Sequence, residues 1–160
     1  MLENCQSALE RWGGVNNLID RWLVERQELL VTFCSLSGIK EFKDNDSEHG
    51  QTILKLCQLL VDYVSAGHFE VYEQLIQEGK QFDDTEGLKA AAGLYQTIDE
   101  TTEFLLDFND KYQEIDDLSS LPADLSTMGE TLAGRFEAED EMIDVLHTNH
   151  RQLLEIVADK

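Results

Sequence analysis

The stretch Leu60-Val61-Asp62-Tyr63-Val64-Ser65-Ala66-Gly67-His68-Phe69-Glu70 decides how this chain is read. Ahead of it and into it, Ile53, Leu54, Cys57, Leu60, Val61 and Val64 recur at the spacing of a helix with one apolar seam. Asp62, Ser65 and Phe69 stand at i, i+3 and i+7, and therefore line up if the helix continues. At about 100° per residue they fall on the side away from the seam. A phenylalanine there, beside a carboxylate and a hydroxyl, has the composition of a protein-binding face: the ring supplies buried area and the polar groups set register. The same residues allow a second course, in which the chain bends at Gly67 and Phe69 turns back into the core. The pattern leaves both open.

Outward from this stretch the chain reads as all helix. A first helix covers about 3–12 and stops or kinks at Gly13-Gly14. A second, about 15–37, carries Val15, Leu18, Ile19, Trp22, Leu29, Leu30, Phe33 and Leu36 on one face, with Gly38 as its C-terminal cap. Residues 40–48 read as a polar loop, with Ser47 able to cap the helix that ends near Ala66. A short helix over 69–77 comes next, then a loop over 79–87. The next helix, about 85–111, carries Leu88, Ala91, Ala92, Tyr95, Ile98, Leu105 and Phe108. An acidic loop runs to Pro122, the one proline. The last helix, about 123–157, has its seam at Leu125, Met128, Leu132, Phe136, Ile143, Leu146, Leu154 and Val157. Amphipathic helices with short connections make an all-α, antiparallel helical bundle, expected as one domain over 1–160.

Two charges stand in apolar seams. Arg26 lies between Trp22 and Leu29/Leu30, and Glu139 between Phe136 and Ile143. A lone buried charge is expensive, so each requires a partner. The planar fork of an arginine suits a carboxylate, and the expected pair is Arg26 with Glu139 or Asp140. The alternative is that Arg26 snorkels, its head in water.

The 160 residues include 33 acidic and 12 basic ones, a formal net charge of −21. Residues 61–160 carry 24 acidic and 6 basic residues, so −18 of that charge lies there. Such a field repels nucleic acid and anionic membrane and steers basic partners inward. There is no long apolar run and no signal-peptide pattern, so a cytoplasmic protein is expected. Cys5, Cys34 and Cys57 are widely spaced and read as reduced thiols, the last two as small core residues.

Signatures of catalysis are thin. Asp144-x-x-His147 and His147-x-x-His150 share the last helix, but no second acid-x-x-His motif faces them, so a metal-binding bundle is a weak alternative. The two histidines read as polar residues near a helix end. No phosphate loop, nucleophile elbow or catalytic cysteine signature occurs, and Ser65 with His68 lacks an orienting acid. The expectation is a non-enzymatic protein without a cofactor.

Several blocks resemble the Rsd/AlgQ family of bacterial anti-sigma factors. They are Glu10-Arg11-Trp12-Gly13-Gly14, Leu18-Ile19-Asp20-Arg21-Trp22-Leu23, Leu29-Leu30-Val31, the run from Leu60 to Phe69, and Arg135-Phe136 with Glu139-Asp140. The N-terminal third looks closer to the AlgQ branch, which the resemblance links to alginate and virulence genes; residues 85–121 offer no matching motif. The resemblance implies a monomeric helical bundle that binds the primary sigma factor, chiefly at its basic region 4. Region 4 reads the −35 promoter element and docks on core RNA polymerase, so its capture frees the polymerase for alternative sigma factors. By the same resemblance Asp62, Ser65, His68 and Phe69 form the partner-binding set. Trp22 and Arg26 are second candidates, although the seam position of Trp22 favours the core. The runner-up is an acidic adaptor for another basic regulator or a phosphocarrier protein.

Overall fold

The computed structural model describes residues 2–43, 48–114 and 117–158. Helix α1 spans Leu2–Ser37, α2 Gly50–Ala66, α3 Tyr72–Gln81, α4 Thr85–Glu114, α5 Leu121–Ile143 and α6 Asn149–Ala158. One π turn, Gly67–Val71, joins α2 to α3, and a second, Asp144–Thr148, joins α5 to α6. No strand occurs among the described residues. The bundle is closed chiefly by α4 on α5, α1 on α2 and α2 on α4. Its core runs from Ile19, Trp22 and Leu29 of α1 through Leu56 and Leu60 of α2 to Ile98, Leu105, Met128 and Met142.

Helix α1 is continuous through Gly13-Gly14, where the sequence predicts a stop. Two glycines cost an exposed helix about 1 kcal/mol each. Tertiary contacts on both sides hold it: the Trp12 indole stacks on His147 at 4.2 Å and donates to the His147 carbonyl, and Asn16 contacts the same imidazole. Helix α1 ends at Ser37, so Gly38 follows it where expected, without a positive φ. Ser47 lies outside the described residues.

The predicted loop over 79–87 is also shorter than expected. Helix α3 reaches Gln81, and Asp83 turns the chain at φ 52°. Asp84 then caps α4 by accepting the Gly87 N–H at 2.8 Å. Pro122 sits in the first turn of α5, where its missing N–H costs nothing. Leu54, assigned to the α2 seam, is half exposed, and Ala92 and Cys34 are also on the surface. Cys57 is in the core, where burial pushes its thiol up to about 11.

Candidate interaction face and the polar network behind it

Both courses open for the central stretch are resolved by the π turn. The chain stays helical through Gly67; its backbone widens, and the Tyr72 N–H bonds five residues back to the Gly67 carbonyl. Phe69 points outward and is 78% exposed, the most exposed large hydrophobic residue among those described. Gly67 is buried, and a Cβ there would stand 3.0 Å from the Tyr72 ring and 3.2 Å from the Trp22 ring. The sequence places glycine here for close approach rather than for a bend.

Asp62 on α2 and Phe69 on the π turn are both exposed, and Ser65 between them is half-buried. The Asp62 carboxylate is exposed and accepts a bond from Gln58 at 2.9 Å. Across the seam from α1, Glu25 has its carboxyl raised above the ordinary range, by burial first and then by Asp62, Glu70 and Glu28. Like charges thus crowd beside the exposed ring. A groove of about 600 Å³ opens between α1 and the π turn, with Phe69 and Glu70 on one wall and Trp12, Val15 and Glu25 on the other.

The remaining candidates face inward. Trp22 is 2% exposed, stacked on Tyr63 at 4.7 Å, and donates to the Tyr63 carbonyl. It supports the face from beneath, which corrects its place among surface contacts. Arg26 pairs as predicted: its Nη1 lies 2.6 Å from Asp140 and its Nη2 3.5 Å from Glu139, while Nε donates to the Tyr63 hydroxyl at 3.0 Å. Its guanidinium also lies over the Phe136 ring.

Glu139 is the centre of this network and is 1% exposed. It accepts from the Tyr63 hydroxyl at 2.6 Å and from the Tyr72 hydroxyl. Burial raises its carboxyl, opposed by Arg135, the two tyrosines and Arg26. Burial also raises both phenols, so they remain donors.

Arg135, fully buried one turn before Glu139, has no role that the sequence pattern foretells. Its Nη1 donates to the Ile98 carbonyl and to the Thr101 and Thr102 hydroxyls, and its Nη2 to the Tyr72 hydroxyl. Its Nε has no hydrogen bond and stands 3.5 Å from Glu139.

His68 turns into the same network, its Nε2 3.3 Å from Arg135 Nη2 and 3.2 Å from Thr102. An arginine only donates, so Nε2 is the acceptor and the ring proton sits on Nδ1, towards the Tyr95 hydroxyl. Burial, then the adjacent Arg135, lowers the His68 pKa below the ordinary value.

A second buried cluster fixes the C-terminal helix. Glu78 holds His147 at 2.7 Å and His150 at 2.8 Å, and the far nitrogens meet Asn16 and Asp84. Phe82 stacks on His150. These histidines, read from the spacing as polar residues near a helix end, are 2% exposed and lie in the core. All four ring nitrogens are engaged with protein oxygens. Among the described residues no group of three or more His, Cys, Asp or Glu could hold a metal ion.

An outward aromatic on a π turn, ringed by carboxylates and braced from inside, describes a binding surface more readily than a reaction centre. The family model described as "Regulator of RNA polymerase sigma(70) subunit, Rsd/AlgQ" matches residues 1–147. The chain belongs to the Rsd/AlgQ family. It is 38% identical over 155 residues to a protein named Regulator of sigma D from Enterobacter sp. (strain 638), covering 94% of this chain and 92% of that one. It is 39% identical over 150 residues to the protein of the same name from Yersinia enterocolitica, covering 89% and 88%. The counterpart from Yersinia pseudotuberculosis is 37% identical over 148 residues, covering 89% and 87%. Rsd/AlgQ is thus a regulatory family, and among the described residues of this member no helix is long and apolar enough to cross a membrane.

Proposed function

We propose that this Rsd/AlgQ member acts as an anti-sigma factor by capturing region 4 of the primary, sigma-70-type factor on the face formed by Asp62, Ser65 and Phe69. The carrying observation is Phe69, 78% exposed on a π turn at the edge of an acidic patch. Region 4 is a basic helix-turn-helix, whose Arg and Lys side chains are made for phosphates and base edges. The acidic face offers them carboxylates instead. Occupying that surface blocks both the −35 contact and docking on core polymerase, and so favours alternative sigma factors. On this reading the protein is a cytoplasmic monomer and a single regulatory module without catalytic activity. Its effect on genes runs through polymerase composition and not through DNA, which a net charge of −21 repels.

The test is a calorimetric titration with isolated region 4 at two salt concentrations. The expected result is a one-to-one complex that weakens with salt. Phe69→Ala should cost about 1–3 kcal/mol of binding with an unchanged helical CD signal. Asp62→Ala should slow association and flatten its salt dependence. No binding between two well-folded partners would refute the sigma reading and redirect the search to another basic regulator or a phosphocarrier.

A further inference from the structure

The face proposed for region 4 is wider than its first three residues. Resting on that reading, we infer that the partner seats a basic amphipathic helix in a furrow along α1, with Val24 and Val31 as a second apolar anchor beyond Phe69.

Val24 and Val31 are 57% and 64% exposed, on the outer side of α1. Seven residues apart, they stand two helical turns, about 10 Å, from one another. They line a recess of about 350 Å³ with Gln27, Glu28, Thr32 and Lys55 of α2. The larger groove beside Phe69 is lined further up the same helix by Arg21 and Glu25. The two recesses are neighbours on one helix: Glu25 lines the first, and Val24 and Glu28, within a turn of it, line the second. Arg21 opposes the carboxylates at Glu25, and Arg11 and Lys55 also line the two recesses. The furrow therefore alternates: an aromatic at one end, carboxylates in the middle, a valine pair at the other.

Charge selects the occupant. A second copy of this chain would bring the same carboxylates and another −21 against the furrow. Nucleic acid and anionic lipid are repelled for the same reason. A helix with Lys or Arg along one strip and apolar residues one to two turns apart on its flanks matches both the charge and the spacing.

The experiment titrates region 4 against the Val24→Ala/Val31→Ala double variant and Glu28→Lys, with Phe69→Ala alongside. Leu106→Ala, at an exposed leucine on α4, is the control. Alanine at exposed helical positions improves helix propensity, so the double variant keeps its fold, which CD verifies. Expected are about tenfold weaker binding for the double variant, a flatter salt dependence for Glu28→Lys, and no change for Leu106→Ala. If the double variant binds within about twofold of wild type while Phe69→Ala is weakened, the contact is confined to the α2 end; the inference fails and the sigma reading stands. Equal weakening by Leu106→Ala also overturns it, because the effect is then general to exposed apolar groups. If wild type does not bind, both fall together.

Discussion

Replacing Glu139 by alanine should be among the most damaging single changes in this protein. The carboxylate is 1% exposed and answers four groups: the Tyr63 and Tyr72 hydroxyls, Arg26 and Arg135. Its removal leaves Arg135, which is fully buried, without a counter-charge, and both phenols without acceptors. Breaking one side of a buried ion pair costs about 3–5 kcal/mol. Against a total stability of roughly 5–15 kcal/mol that is a large fraction. For a chain of this size each kcal/mol moves the melting temperature by about 2–4 °C, so the midpoint should fall by about 6–20 °C. Urea unfolding measured by far-UV CD gives the loss directly, and Glu139→Gln separates its parts. The amide keeps an acceptor for one tyrosine but no charge, so it should recover only part of the stability. A cost below about 1 kcal/mol for Glu139→Ala would show that Arg135 is compensated elsewhere, and would refute the central role given to Glu139.

The same geometry sets three further expectations. Because the folded-state pKa of His68 is lowered, its contribution to stability is present above the ordinary histidine value and is lost as pH falls through the lower folded one. Urea midpoints from pH 7.5 to 5 should therefore fall less steeply for His68→Gln than for wild type, and parallel curves would argue against a neutral buried ring. Gly67→Val should destabilise by about 1–3 kcal/mol through its clash with Tyr72 and Trp22, and a wild-type melting curve would show that those rings yield freely. Glu78→Ala strands two buried imidazoles and should loosen the C-terminal helix by about 2–4 kcal/mol; amide exchange in α6 indistinguishable from wild type would contradict that anchoring role.

Much of this architecture is legible without coordinates because amphipathic helices announce their inner faces. The seams of α1, α2 and α5 fall largely where the spacing puts them, and Arg26 and Glu139 stand out as charges on apolar faces. Arg135, between Leu132 and Phe136, carries the same signal of a charge in an apolar seam, but its partners on α4 and α3 cannot be read from it. The Glu78–His147–His150 cluster is illegible for a different reason. Its histidines lie 69 and 72 residues from the glutamate, and nothing local in either segment records the other. The Gly13-Gly14 break fails to form because the docking of Trp12 overrules local propensity. Neither π turn shows in the sequence, because buried positions such as Val64, Gly67, Val71 and Leu75 still recur every three or four residues. The outward course of Phe69 needs the coordinates, because the spacing allows it to face either way.

The widened turn at Gly67–Val71 also separates what this segment can lose from what it cannot. A π turn is an α-helix that has absorbed one additional residue without rotating the helix beyond it. Tyr72, Leu75 and Glu78 therefore keep their inward phase because the surplus is spent at the surface, where Phe69 stands. Shortening the turn by one residue would let the helix close to ordinary α geometry with the same downstream residues still buried. A chain one residue shorter than these 160 could then retain the bundle and lose the protrusion. In this segment, chain length sets the surface relief while side-chain identity sets the core.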